Sequence, residues 1–142
     1  MNRVSIIMDT QTENISFARV AAAAFITPLD PGVDEVSDIK TAISEAVTNA
    51  SIHGYPTGNG QVRMDICTED RTVTIEISDD GVGIADIETA RQPLFTTKEE
   101  LERSGLGFTV MESFMDKVIV ESAPGQGTKV ILIKTLADQQ TP

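Results

Sequence analysis

Glu45 and Asn49 stand four residues apart within residues 44–55, S-E-A-V-T-N-A-S-I-H-G-Y. On a helix that spacing puts both side chains on one face, about one turn apart. The acid can take a proton, and the amide oxygen can hold a hard cation such as Mg²⁺. Gly54 is read as the helix stop, because glycine accepts the left-handed conformation that helix ends need. A second group is Asp79-x-Gly81-x-Gly83 at the end of an apolar run. A carboxylate there can accept a hydrogen bond from an exocyclic amine such as that of adenine. The two glycines let the backbone approach a flat base closely. The same residues also make an ordinary acidic turn. A third group, Gly105-x-Gly107, enters a helical stretch whose first amides can meet a phosphate.

The elements that must position these residues follow from periodicity. Residues 3–8 form a short β-branched run that reads as a first strand. Asn14 or Ser16 caps a helix over residues 15–27, on which Arg19 is the only charge. That helix carries four alanines at 21–24, which suit either core packing or the approach of a partner or a second copy. The breaker cluster P-L-D-P-G at 28–32 separates it from a helix over residues 33–51. There Val36, Ile39, Ile43, Val47 and Ala50 make one apolar stripe. Asp38, Glu45 and Asn49 lie on the opposite side, within about 40° of one another. A polar stripe is also what a solvated helix face looks like. Residues 61–68 and 72–78 read as an antiparallel hairpin; the second alternates polar and apolar, as a half-buried strand does. Residues 85–104 lack clean periodicity, and a polar connection of that length is usually functional or disordered. A helix to about residue 114, a strand over 117–122, a turn and a last strand over 128–135 complete the chain. The expected class is α+β: two layers, with helices on one face of a mixed, mostly antiparallel sheet.

Composition excludes several classes. The 142 residues fit one domain, residues 1–136, followed by a loose polar tail at 137–142. With 22 acids against 11 bases the net charge is −11, so direct binding of nucleic acid is not expected. The longest apolar run, residues 20–26, is far below the roughly 18 residues a membrane span needs. Residues 1–10 show no secretion signal, and Cys67 is the single cysteine, so no internal disulfide forms. A cytoplasmic protein fits. No G-x-x-x-x-G-K-[ST] loop and no H-R-D or D-F-G set is present. One Cys and one His cannot build a Cys/His metal cluster. A Ser-His-Asp hydrolase would rest on His53, which sits at a helix end.

Taken in order, Glu45…Asn49, D-x-G-x-G, a polar connection, G-x-G and Gly127-Thr128 resemble the Bergerat-fold ATPases. This is the superfamily of gyrase, heat-shock chaperones, histidine kinases and mismatch-repair proteins. The resemblance covers nearly the whole chain. It implies Glu45 as general base and Asn49 as Mg²⁺ ligand. It implies Asp79 as holder of the adenine amine, helped by Thr128, with Gly81 and Gly83 shaping the pocket. Residues 85–104 would be a lid over ATP that carries Thr97, Lys98, Arg103 and Ser104. Gly105, Leu106, Gly107 and Phe108 would lie at the phosphates. Arg103 or Lys98 could reach the γ-phosphate.

A narrower resemblance rests on S-F-A-R-V at 16–20, S-E-A-V-T-N-A at 44–50 and I-H-G-Y at 52–55. It continues in A-R-Q-P-L-F-T-T-K at 90–98 and E-R-S-G-L-G-F at 102–108. These stretches are similar to the sporulation anti-sigma F factors, which are serine protein kinases. The family implies a homodimer that binds a sporulation sigma factor and, with ATP and Mg²⁺, phosphorylates a serine on an anti-anti-sigma protein. Arg19 is the candidate partner contact. Rival readings are an ATP-gated anti-sigma binding module without chemistry, a sensor histidine kinase fragment, and a DNA topology or repair ATPase. Glu45 argues against the first, the single leading helix against the second, and short length and acidity against the third.

Overall fold

The computed structural model describes residues 1–55, 60–82 and 107–138. Within them the chain runs β1 (Asn2–Asp9), α1 (Glu13–Ile26), a 3₁₀ turn (Thr27–Leu29) and α2 (Val33–Thr48). It continues through β2 (Gln61–Glu69), β3 (Thr72–Asp79), α3 (Phe108–Phe114), β4 (Lys117–Ser122) and β5 (Thr128–Thr135). The five strands make one sheet in the order β1-β2-β3-β5-β4. Every pairing among them is antiparallel, where a mixed sheet was expected. The cause is that β5 returns as a hairpin partner of β4 and also lies antiparallel beside β3.

Period-two alternation decides which side of the sheet is covered. Val62, Met64 and Ile66 of β2, Val73, Ile75 and Ile77 of β3, and Val130 and Leu132 of β5 are all buried. The residues between them, such as Arg63, Asp65 and Glu76, project to the other face. The helices supply the second layer. Ala18, Ala22 and Ile26 of α1 and Ile39, Ala42, Ile43, Ala46 and Val47 of α2 join the same apolar core. Small side chains at 18, 22, 42 and 46 let the two helix backbones approach closely. Of the four consecutive alanines, Ala22 is buried and Ala24 is exposed. Phe17 and Val20 also remain exposed on α1.

The helix ends are held by specific bonds. Helix α1 starts at Glu13, so Arg19 is not its only charge. Asn14, one of the two expected caps, instead donates its side-chain amide to the Asp9 carbonyl at 2.8 Å. At the start of α2, Gly32 N–H donates to Glu35 Oε1 at 2.9 Å, and Ala137 N–H donates to Glu35 Oε2 at 2.8 Å. Arg71 Nε donates to the Ala137 carbonyl at 2.7 Å. Ala137 therefore is fastened, although the sequence reading put it in a loose tail. After Thr48 the helix widens into a π turn, Asn49–His53, closed by Gly54 N–H donating to the Asn49 carbonyl at 3.0 Å.

Candidate active site

The polar side of α2 is not a solvated face, because α3 packs against it. Asn49 is only 8% exposed and Glu45 is half-buried. Gly107, which precedes α3, has φ +58, and a Cβ there would collide with the Glu45 carboxylate. Glycine is thus required twice at this point: for the left-handed backbone and for the close approach to the acid. Burial raises the Glu45 pKa above the ordinary 4.5. A carboxylate in that condition is a better proton acceptor than an exposed one. Asp38, on the same stripe, does something else: its Oδ2 lies 3.7 Å from Lys134 Nζ, in an ion pair with β5.

The end of β3 makes the second wall. Asp79 Oδ1 accepts the Gly81 N–H at 2.8 Å, and the Thr128 backbone N–H also donates to this carboxylate. Its pKa is nevertheless raised, first by burial and also by Asp80; the two N–H donors pull the other way. Thr128 therefore holds Asp79 through its backbone, while its hydroxyl lies 2.8 Å from Ser122 Oγ.

The two walls interlock through glycines. Gly54 has φ −68 and ψ −36, so it is right-handed and not the left-handed stop expected. Its requirement is steric. A Cβ on Gly54 would sit 2.5 Å from the Ala50 carbonyl oxygen and 2.9 Å from Asp79 Oδ1. A Cβ on Gly81 would strike the Gly54 carbonyl, which accepts the Val82 N–H at 2.9 Å. Gly127 N–H donates to the Gly81 carbonyl at 3.0 Å, and a Cβ on Gly127 would strike the Asp79 carbonyl. The turn carrying Asp79 is thereby locked to the helix end carrying Asn49.

Of the residues singled out from sequence, Glu45 and Gly107 meet at the α2–α3 contact with Asn49 one turn on from Glu45, and Asp79, Gly81 and Thr128 meet at the end of β3. Phe108 does not join them: its side chain is 2% exposed and belongs to the apolar core, because the first turn of α3 faces inward. Arg19 lines a separate cleft between α1 and α2 with Val36, Ser37, Lys40 and Thr41. Its Nε is buried and has no hydrogen-bond partner among the described residues. Gly83, Thr97, Lys98, Arg103, Ser104, Gly105 and Leu106 lie outside the described residues, as does the expected lid. The sequence marks Gly127 only beside Thr128 and Tyr55 only as the end of I-H-G-Y; the packing of the first and the bridging role of the second are not legible there. The hydroxyl of Tyr55 bridges Gln61 and Asp80. A tyrosine beside a helix-ending glycine gives only a faint signal of that.

An acid with a raised pKa beside a buried amide, next to a second carboxylate flanked by glycines too crowded for side chains, suits a proton acceptor beside a flat polar ligand. The histidine kinase-like ATPase domain family matches residues 8–134. The anti-sigma F factor of Geobacillus stearothermophilus is 56% identical over 141 residues, 99% of this chain and 97% of that protein. That of Clostridium acetobutylicum is 52% identical over 136 residues, 96% of this chain and 95% of its own length. Among solved structures, the RsbU and RsbW domains of a Mycobacterium tuberculosis protein superpose with TM-score 0.66 at 19% identity, over 96% of this chain and 32% of that one. The catalytic domain of histidine kinase ThkA gives TM-score 0.55 at 15% identity, covering 96% of this chain and 97% of that one. These two likenesses bear on the fold alone.

Proposed function

The chain belongs to the histidine kinase-like ATPase family and, within it, to the anti-sigma F factors, and from this we propose that it holds a sporulation sigma factor inactive and phosphorylates a serine of an anti-anti-sigma protein. The observation that carries the kinase half is Glu45: a half-buried carboxylate with a raised pKa, packed under Gly107 and one turn from buried Asn49. A serine hydroxyl is a weak nucleophile at neutral pH. Glu45 accepts its proton as the serine oxygen attacks, a contribution of ~10²–10⁴-fold. A module that only binds has no use for a base there.

The residues fit an adenine nucleotide with Mg²⁺. Asn49 offers the hard oxygen such an ion prefers, and Gly107, lacking a Cβ, lets the start of α3 lie directly against the Glu45 carboxylate. When bound, ATP supplies the phosphoryl group and Mg²⁺ neutralises phosphate charge. Asn49 is the residue that would hold the ion. Asp79, fixed by the Gly81 and Thr128 N–H groups, would accept a hydrogen bond from the exocyclic amine of the base. Lys98 or Arg103 would be the residue to meet the γ-phosphate. Arg19 contacts the protein partners, and the active form is a homodimer in the cytoplasm. Among the described residues no helix is long and apolar enough to cross a membrane.

The test is a mixing experiment with labelled ATP, Mg²⁺ and the anti-anti-sigma protein, with Glu45→Ala in parallel. Label on a partner serine, lost in the variant while ATP still binds, is the expected result. Normal transfer by Glu45→Ala would sink the assignment of the base. Label on His53 of the chain itself would favour a histidine kinase. Nucleotide binding without any transfer would leave a binding module.

A further inference from the structure

We infer that Tyr55 is a positioning residue that aims Asp79 at the nucleotide base; this rests on the reading of Asp79 as the acceptor for the exocyclic amine. The hydroxyl of Tyr55 donates to the Gln61 carbonyl at 2.9 Å and accepts the Asp80 N–H at 2.9 Å. It thus spans the open ends of β2 and β3, just past Val62 and Asp79, the last pair of their ladder. The ring lies over Gly60, where a Cβ would overlap ring atoms. Gly60 is itself pinned: its N–H donates to Thr10 Oγ1 at 3.0 Å, and its carbonyl accepts the Thr10 N–H at 3.1 Å. The hydroxyl therefore stands on a floor tied to the end of β1.

The consequence falls on one peptide group, the link between Asp79 and Asp80. Its N–H is held by the Tyr55 hydroxyl. Its carbonyl is hemmed in by Gly127, where no side chain fits. With both edges fixed, the peptide cannot rotate, and the Asp79 carboxylate stays against the Gly81 and Thr128 N–H groups. The ladder from Val62↔Asp79 to Glu69↔Thr72 holds β2 and β3 together without this bond. What the hydroxyl adds is the orientation of the residue that reads the base. Tyr55 touches no ligand in this account; it acts through Asp79.

Tyr55→Phe in the full chain keeps the ring over Gly60 and removes only the hydroxyl. Binding of ATP and of ITP, whose base has an oxygen in place of the amine, is measured by calorimetry for the parent and the variant. ATP affinity is expected to fall by about threefold to tenfold, the loss of one hydrogen bond's worth of orientation. ITP affinity should fall less, so the preference for ATP shrinks. In an Asp79→Asn background the same change should do nothing further, because the two residues act as one unit. Amide exchange at Asp80 should quicken in Tyr55→Phe. A merely structural role would weaken both nucleotides equally. An unchanged ATP preference in a parent that has one overturns the assignment of Tyr55 alone. A parent that binds ATP and ITP alike overturns the Asp79 reading and this one with it.

Discussion

Burial of Glu45 has a cost that can be read as a function of pH. Its folded pKa is raised above 4.5 by loss of water, so the ionised form is disfavoured in the folded chain. Below 4.5 the group is protonated in both states and contributes no pH-linked term. Above 4.5 the unfolded chain ionises first, so the penalty grows with pH and levels off once pH exceeds the raised folded value. Glu45→Gln is therefore expected to melt higher than the parent at pH 7, with the gain fading below pH 4.5, by calorimetric scans at several pH values. The same variant should lose phosphoryl transfer, so stability and activity move in opposite directions. Equal melting at all pH values would contradict the buried, ionised acid. Arg19 makes a different residue-scale case. Its guanidinium lines a cleft beside Lys40, with Nε unbonded among the described residues, so a carboxylate from a partner would meet two cations there. Arg19→Ala should weaken binding of both protein partners by about tenfold or more, as loss of a charge-assisted bond implies. Titration at fixed salt checks this, and unchanged affinity for both removes Arg19 from the contact. At this scale the sequence was informative about residue types and poor about environments. Asn49 reads as solvent-facing on α2 alone. It is 8% exposed because the π turn it opens packs against β2 and β3, strands that come later in the chain.

Among elements, the α1–α2 contact is built on small side chains. Ala22 is fully buried and meets a helix that itself presents Ala42 and Ala46. Ala22→Leu should overfill this seam and destabilise by about 1–3 kcal/mol, measured by urea unfolding. Ala24→Leu, at an exposed position of the same helix, should change stability by less than about 0.5 kcal/mol. If the two substitutions cost the same, the alanine run is not a packing device. Element limits were legible where turn chemistry brackets them. Strands β4 and β5 begin and end where Pro124, Gly125 and Gly127 and the β-branched runs put them. The end of α2 was legible in place but not in cause. Gly54 marks it because nothing larger fits between Ala50 and Asp79, a contact between distant segments that local propensity cannot reveal.

For the molecule as a whole, charge and topology set the terms. Two copies at −11 each repel, so the proposed homodimer should tighten as salt rises from ~0.05 to ~0.5 M. Ultracentrifugation across that range tests it, and a dimer that weakens with salt would mean that ion pairs outweigh the net repulsion. The layered α+β class was legible from alternation and helical stripes. The all-antiparallel order was not, because which strand lies beside β3 depends on contacts across residues 79–128 that no local pattern encodes. That order also has a consequence for biosynthesis. Strand β5 leaves the ribosome after β4, yet it lies between β3 and β4. Until it emerges, β4 has no partner, and β3 presents an open ladder beside Ile75 and Ile77. A nascent chain stalled before residue 128 thus carries a wholly unpaired β4 and an open edge on β3, the form in which a chain pairs with its neighbours on a polysome rather than with itself.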